Sequence, residues 1–382
     1  MKKFKWLVGA ALAAALVAGC GGGGGSATSD KLSGGAVKVV GDSLADSGVF
    51  GFKFSMQGNA ANPMLLWTDR IAATFGGTLC PRYAATSATT VALNPATAAC
   101  TSYAVGGGRI NFPLAATTGF AIPEQMKQLA TEKPYSPNDL LLVDGGGNDA
   151  ADLVGAYLKA GQGVPGDFVG LVGSLGVTIS APGAAGLAQA GTSYMQALAD
   201  KFYNDIKTQA LDKGARKVAV LNMPGITNTP RFQDTLNLIA LGSGGGATGA
   251  AARAQSEAIF KSWVETFNAR LVSKFAGESR VLVIDFYSNF NDQIANPAQY
   301  GLTNVKTPAC PSTGTGTDGL PEYSAPTCTA DSLTATPPPA GATGGANWWK
   351  TYAFSDGFHP TIYGYQLLGQ LVAKELAVKG WL

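Results

Sequence analysis

Four short apolar runs, each followed at once by a loop rich in Gly, Asn or Pro, constrain the fold of this chain more than any other feature. The runs are Ala36–Val40, Leu140–Val143, Val218–Leu221 and Val281–Phe286. Runs of this length and composition are typical of parallel strands that are buried on both faces. They predict a central sheet whose strands end in loops at one common edge.

Helical patterns separate these runs. Residues 192–212, 253–275 and 361–378 each place large apolar side chains at near-helical spacing. Strands that alternate with helices predict an α/β fold, in which helices cover both faces of a mostly parallel sheet. Ligands of such sheets bind at the carboxyl ends of the strands. Two stretches rich in Gly, Ala, Thr and Pro, residues 160–190 and 305–347, are predicted to be surface loops or lids inserted into one domain over residues 36–382.

The N-terminus has the layout of an export signal. Residues 1–19 combine a basic start with an apolar run that is too short to span a bilayer comfortably, and small residues precede Cys20. This pattern resembles a bacterial lipobox, which implies that Cys20 is lipidated; the alternative is an ordinary signal with an incidental Cys20. Residues 20–35 contain a Gly/Ser run typical of a flexible tether. We expect an exported lipoprotein that a lipid anchor holds at a membrane, on the outer membrane, at the cell surface or in the periplasm; the alternative is secretion.

The remaining four cysteines form an even set, which fits two disulfide bridges in an exported protein. Of the three possible pairings we favour the local one, Cys80–Cys100 with Cys310–Cys328. Each bridge would close a loop of about 20 residues and contribute about 3 kcal/mol to stability. Reduced, buried thiols are the alternative.

Charge and histidine content exclude two classes of function. The chain has 27 Lys and Arg against 25 Asp and Glu, and without Lys2, Lys3 and Lys5 the balance becomes 24 against 25. A neutral domain lacks the basic surface that nucleic acids require. A single histidine excludes the multi-histidine centres of most zinc hydrolases. We therefore expect no nucleic-acid partner, no metal and no cofactor.

The lone histidine and a serine that follows the first strand are the candidate catalytic residues. His359 precedes Pro360, which disfavours a helix and places the imidazole on a loop. Asp356 on the same loop could hold one ring nitrogen, leaving the other as a general base. Ser43 lies on a turn that Gly41 permits, where a nucleophile would be exposed. The alternatives are a histidine that only packs and a serine that only caps a helix.

Four separated blocks resemble, in order, the motifs of the GDSL esterase/lipase family, also called SGNH hydrolases. The blocks are Gly41–Leu44, Ser102–Gly108, Gly146–Asp149 and Asp356–Pro360. The resemblance covers nearly the whole predicted domain and implies a three-layer α/β/α sandwich. It also implies that Ser43 is the nucleophile, His359 the base and then the acid, and Asp356 the carboxylate that orients the imidazole.

The same resemblance implies an oxyanion hole. Its donors would be the backbone N–H groups of Ser43 and Gly107 and the side-chain amide of Asn148. Because three glycines follow one another, Gly106 stays open as the alternative to Gly107. The chain departs from the family at Ser102, where many relatives carry Asn.

We predict a serine esterase or lipase that hydrolyses lipid, phospholipid or short-chain carboxylic esters through an acyl-enzyme on Ser43, as a monomer. The alternatives are an acyltransferase with the same acyl-enzyme and a catalytically retired surface-binding lipoprotein. Asp42 and Asp149 are expected to brace their loops rather than to react. Four apolar residues after the nucleophile either line an acyl pocket or pack within a strand or loop: Phe50, Phe52, Phe54 and Met56.

Overall fold

The computed structural model describes residues 34–382, so the predicted signal, the Cys20 lipobox and most of the tether lie outside the described residues. The strands are β1 (Val37–Val40), β2 (Tyr83–Ser87), β3 (Thr90–Leu93), β4 (Leu140–Val143), β5 (Lys217–Leu221), β6 (Val281–Ile284), β7 (Gly314–Thr315) and β8 (Pro321–Glu322). Four of them form a parallel sheet in the order β1-β4-β5-β6. These four are the apolar runs from which a sheet is predicted.

Ten α-helices lie within the described residues. They are α1 (Trp67–Thr74), α2 (Ile122–Glu132), α3 (Gly147–Gly161), α4 (Gly166–Gly173), α5 (Gly183–Gln209), α6 (Pro230–Gly242), α7 (Gly246–Lys274), α8 (Phe286–Ala295), α9 (Ala330–Ala335) and α10 (Ile362–Val378). Across residues 34–382, none of them combines the length and apolarity that crossing a bilayer would require.

The side chains of each strand divide between two cores, because successive residues of a strand point to opposite faces. Leu141 and Val143 of β4 pack in a core with α2, α3, α5 and α7. Leu140 and Leu142 pack in a second core with α1, α8 and α10. The chain therefore folds as a three-layer α/β/α sandwich, as predicted.

An extended segment covers the outer edge of β1. The N–H of Val39 donates to the carbonyl of Thr101 at 3.0 Å, and the N–H of Tyr103 donates to the carbonyl of Val39 at 2.8 Å. These bonds satisfy backbone groups that would otherwise be exposed at a sheet edge. They also bring the second motif block beside the strand that carries the first.

Both predicted disulfides form. Cys80 is bonded to Cys100, just before the segment that pairs with β1. Cys310 is bonded to Cys328 inside a small third core, which also contains Trp348.

The two stretches predicted as loops are more ordered than expected. Residues 160–190 contain α4 and the start of α5, because Phe168 and Val172 bury one face of α4. Residues 305–347 contain α9, the β7–β8 hairpin and part of the third core. The prediction of plain loops was wrong here, since a few buried side chains and one disulfide suffice to organise sequences poor in large apolar residues.

Candidate active site

Ser43 lies on a tight turn after β1, and side chains hold the backbone on both sides of it. The amide of Gln125 on α2 bridges Gly41: its Oε1 accepts from the Gly41 N–H at 2.8 Å, and its Nε2 donates to the Gly41 carbonyl at 3.0 Å. Oδ1 of Asp42 accepts from the N–H of Leu44 at 3.0 Å. The turn therefore presents Ser43 at the carboxyl end of β1, and Asp42 braces it.

A buried carboxyl group explains why glycine is required at position 41. A β-carbon at Gly41 would overlap Oδ1 of Asp144, a buried residue that follows β4. Burial, with repulsion from Asp42, raises the pKa of Asp144 well above its usual range. Burial therefore favours the neutral form of Asp144 beneath the nucleophile turn.

The imidazole of His359 lies between the serine and a carboxylate. Its Nε2 is 2.8 Å from Oγ of Ser43, and its Nδ1 is 2.8 Å and 3.0 Å from the two carboxylate oxygens of Asp356. Oδ1 of Asp356 also accepts the backbone N–H groups of Phe358 and His359, at 2.8 Å and 2.7 Å. With the proton on Nδ1, Nε2 is free to accept the hydroxyl proton of Ser43.

Burial and charge have opposite effects on the pKa values of His359 and Asp356. Burial lowers the pKa of His359, but attraction and hydrogen bonding to Asp356, together with attraction to Asp42, raise it by more, so the net pKa of His359 lies above its ordinary value of 6.5. Burial raises the pKa of Asp356, but His359 and the two backbone N–H donors lower it by more, so the net pKa of Asp356 lies below its ordinary value. Asp356 stays ionised and stabilises the imidazolium that forms when His359 takes a proton.

The glycine run offers one free backbone donor. The N–H of Gly106 donates to Oδ2 of Asp46 at 2.7 Å, and the N–H of Gly108 donates to the carbonyl of Val105 at 2.9 Å. Within residues 34–382 the N–H of Gly107 has no intramolecular acceptor, and Gly107 lines the same pocket as Ser43. Its φ of +78° is one that glycine adopts readily. The geometry favours Gly107 over Gly106 as a donor.

The first turn of α3 is hydrogen-bonded to the glycine loop, the segment that contains Gly106, Gly107 and Gly108. Nδ2 of Asn148 donates to the carbonyl of Gly108 at 3.0 Å, which leaves its second amide proton for a ligand. Asp149 accepts the N–H groups of Ile110 and Asn111 at 3.0 Å and 2.8 Å. Burial raises the pKa of Asp149 to about 7 in spite of these donors. Asp149 therefore braces the loop, and Asn148 faces the pocket.

Ser102 makes its contact through a hydroxyl. Its Oγ accepts from Oγ of Ser47 at 3.0 Å, and both side chains are buried. Asp46, next to Ser47, binds the N–H groups of Gly48 and Gly106 at 2.8 Å and 2.7 Å. The segment after the nucleophile is thus tied directly to the glycine loop, with Ser102 in the place where many relatives have Asn.

A pocket of about 330 Å³ opens beside Ser43 and runs over the carboxyl ends of the strands. Its polar corner holds Ser43, Gly107, Asn148 and His359. The rest of its lining is mostly apolar and includes Leu44, Leu221, Ile226, Phe232, Phe286 and Phe290. Such a cavity suits a ligand with one polar reacting group and an apolar body.

The four apolar residues after the nucleophile have different positions. Phe54 lines the pocket, and its ring centroid is 5.3 Å from that of His359. Phe50 and Phe52 pack against Phe54 at 5.8 Å and 5.2 Å. Met56 is buried in the third core, away from the pocket lining. Only Phe54 of the four is therefore placed to touch a ligand.

Sequence reasoning missed three residues that hold the site together: Gln125, Asp144 and Arg109. Gln125 carried a signal, since it is a polar residue on the face of α2 that buries Met126 and Leu129. Asp144 carried another, since it directly ends an apolar strand. Arg109 had no comparable signal, because its partners are distant in sequence or belong to the backbone.

This fold, with a hydroxyl, an imidazole and a carboxylate in hydrogen-bonded series at the carboxyl edge of the sheet, is the arrangement of a serine hydrolase. The family model described as GDSL-like Lipase/Acylhydrolase matches residues 37–372. The chain therefore belongs to this hydrolase family, as the four sequence blocks predict. A search of curated proteins found no match.

Proposed function

We propose that this protein is a serine esterase that hydrolyses carboxylic esters with a neutral, apolar acyl group. The observation that carries the proposal is the 2.8 Å approach of His359 Nε2 to Ser43 Oγ, with Asp356 on the opposite ring nitrogen. A serine hydroxyl is a weak nucleophile until a positioned base accepts its proton.

The reaction proceeds in two halves. Ser43 Oγ attacks the ester carbonyl carbon while His359 Nε2 takes the hydroxyl proton, and the carbonyl oxygen becomes an oxyanion beside Gly107 and Asn148. The intermediate collapses, the bond to the alcohol breaks, and His359 returns the proton to the departing alcohol. Water then attacks the acyl-enzyme, again giving a proton to His359, and the carboxylic acid leaves as Ser43 regains its proton.

The pocket lining supports a neutral, apolar acyl group. Asp42 and Asp144 are the acidic residues of the lining, and no Lys or Arg of residues 34–382 belongs to it. An anionic acyl group would be buried beside these two carboxyl groups with no Lys or Arg of the lining to balance its charge. Apolar carbon atoms would instead bury against the aromatic and aliphatic lining.

The function is tested by labelling and turnover together. We expect a fluorophosphonate probe to label the protein at one site, and p-nitrophenyl ester hydrolysis to fall by several orders of magnitude in Ser43→Ala and His359→Ala. Ser87→Ala, at an exposed serine on β2, is the matched control and should keep wild-type turnover. Normal turnover by folded Ser43→Ala would contradict the proposal.

We also propose that the protein is exported and held at a membrane by a lipid on Cys20. The lipobox-like end of residues 1–19 and the Gly/Ser run after it support this. Metabolic labelling with an alkyne fatty acid should mark the wild-type protein in a bacterial host but not Cys20→Ser. Equal labelling of both proteins would refute the anchor.

A further inference from the structure

One guanidinium group links the two segments that carry the glycine and asparagine donors. Nη1 of Arg109 donates to the carbonyl of Gly107 at 2.6 Å, while Nε and Nη2 donate to the carboxylate of Asp152 at 2.5 Å and 3.0 Å. Asp152 lies on α3 four residues after Asn148, so both side chains project from the same face of that helix. Arg109 thus connects the Gly107 peptide to the helix of Asn148.

The arginine itself is held in place. Its N–H donates to the carbonyl of Phe120 and its carbonyl accepts from the N–H of Ile122, both at 2.9 Å. The ring of Phe112 lies 5.0 Å from the guanidinium carbon. A two-bond contact between Arg and a carboxylate is both strong and directional. The guanidinium therefore has little freedom to turn away from Gly107.

Gly107 is restrained on both sides by side chains from other segments. Asp46 holds the N–H of Gly106 at 2.7 Å on one side, and Arg109 holds the carbonyl of Gly107 on the other. A glycine has more backbone freedom than other residues, so restraints on both sides matter most at this position.

Building on the proposed function, we propose that Arg109 is a positioning residue that aligns the Gly107 N–H and the Asn148 amide on the same developing oxyanion. Arg109 does not line the pocket and does not touch the reacting atoms. It acts by fixing the Gly107 peptide relative to α3. Its effect should therefore appear in the transition state rather than in ester binding.

The size of the effect follows from the donors it aligns. Losing one oxyanion donor costs about 10²–10³ in rate, and a misplacement of about 1 Å can cost about 10². We expect Arg109→Lys to lower kcat by about 10- to 100-fold, because lysine keeps the charge but lacks the rigid planar group that holds Asp152 by two bonds and Gly107 by a third. KM should change by less than about threefold.

The experiment compares four single variants and one double variant of the whole protein. Arg109→Lys and Asp152→Asn each break the link, and Asn148→Ala removes a proposed donor. Arg270→Lys is the matched control, because Arg270 makes an equally two-pronged contact with Asp200, at 2.8 Å and 2.9 Å, between α7 and α5. Arg270→Lys should keep wild-type kcat, and Arg109→Lys with Asn148→Ala should lose less than the product of the single losses.

Inhibition by a trifluoromethyl ketone tests the positioning role directly, because a purely structural role of Arg109 would not change the inhibition constant. The ketone adds to an active serine and forms an oxyanion, so its inhibition constant should rise in Arg109→Lys by the same factor as kcat falls. Fluorophosphonate labelling of Arg109→Lys should still reach one label per chain, which shows that the nucleophile is intact. Asp152→Asn should give the same pattern without changing the arginine.

The outcomes separate this proposal from the proposed function. If wild-type protein is neither labelled nor inhibited, the esterase assignment fails. If the wild type reacts but Arg109→Lys and Asp152→Asn keep its kcat and inhibition constant, the positioning role is refuted. A rise in KM at constant kcat would also refute it. Should Arg109→Lys not fold, Asp152→Asn decides by the same measurements.

Discussion

At the scale of single residues, one imidazole accepts and returns the proton in the proposed reaction. His359 is largely buried, yet its interactions with Asp356 and Asp42 keep the pKa of His359 above its ordinary value of 6.5. The imidazole must be neutral to accept the proton of Ser43. We therefore expect the pH at which turnover appears to depend on the balance between burial, which lowers the pKa of His359, and the carboxyl groups of Asp356 and Asp42, which raise it.

The pH dependence of ester hydrolysis should follow this balance. We expect kcat/KM to rise with pH, with a midpoint above 6.5, because the raised pKa of His359 delays its loss of a proton. Asp356→Asn removes the larger attraction and leaves burial opposed only by the smaller attraction of Asp42, so its midpoint should move to lower pH while its plateau falls. Rates measured from about pH 5 to 9 test this, since the window brackets an ordinary imidazole pKa. A flat wild-type profile would contradict a histidine base.

The raised pKa of His359 also affects the stability of the fold, but this contribution decreases with rising pH whereas turnover increases. A histidine whose pKa is higher in the folded state than in the unfolded state stabilises the fold fully below the unfolded pKa. That contribution is lost as the pH rises through the folded pKa. We therefore expect His359 to become able to act as a base over the same pH range in which its contribution to folding declines.

The serine, imidazole and carboxylate that meet in the site could be identified from sequence, but the residues that hold them in place could not. Ser43 and His359 each lie in a short local motif, so neighbouring residues reveal them. Gln125 and Arg109 act on Gly41 and Gly107 through bonds that depend on where α2 and α3 come to rest. No pattern of neighbouring residues contains that information.

At the scale of elements, a disulfide-bonded segment supports the loop that carries the imidazole. The N–H of Cys310 donates to the carbonyl of Ser355, and the N–H of Ala309 donates to the carbonyl of Phe354, both at 2.9 Å. Cys328 ties this strand-like contact to the third core. The position of Asp356, the next residue along the loop, therefore depends on a segment that is distant from the motif.

Removing the two disulfides one at a time should show which of them affects kcat as well as the free energy of unfolding. The two bridges span similar lengths of chain, 18 and 20 residues. Both double Cys→Ser variants should lose about 3 kcal/mol of unfolding free energy. The Cys310/Cys328 variant should also lose kcat several-fold, whereas the Cys80/Cys100 variant should lose less, because its bridge does not touch the catalytic loop. Denaturant unfolding and steady-state rates measure both effects; equal kcat in the two variants would contradict this view.

The boundary between β6 and α8 could not be predicted from the local sequence. The run Val281–Phe286 predicts a strand followed by a loop, but β6 ends at Ile284 and α8 begins at Phe286. The side chain of Asp285 caps the helix by accepting the N–H of Ser288 at 3.0 Å. An apolar run continues across this cap, so hydrophobicity alone could not separate the strand from the helix.

At the scale of the whole molecule, the pocket is assembled from segments that span most of the described chain. Its lining comes from the turn after β1, the start of α3, the loop after β5, the start of α6, α8 and the loop before α10. Because strands of a sheet lie about 4.8 Å apart, the carboxyl ends of β1 to β6, over which the pocket lies, span about 14 Å. The apolar part of the lining lies mainly at the β5 and β6 end.

Substrate selectivity should reflect that extent. A carbon chain with bonds of about 1.5 Å advances about 1.25 Å per carbon, so acyl chains of up to about ten carbons fit across the sheet. We expect kcat/KM for p-nitrophenyl esters to rise from acetate to medium chains, and a hemisuccinate to be a poorer substrate than the neutral butyrate. A preference for acetate, or for the anionic ester, would show that the apolar lining does not hold the acyl group.

By itself the sequence determined the class of fold, the disulfide pairing that forms and the identity of the serine, imidazole and carboxylate that meet. Each depends on patterns within a few turns of chain: the period of apolar residues, the spacing of cysteines and short motifs. Only the tertiary structure decided that Gly107 rather than Gly106 has a free N–H, that Asp144 lies beneath the nucleophile and that Arg109 joins two segments. Those outcomes depend on which helices pack against which strand ends, and a hydrogen bond between distant residues exists only once that packing is complete.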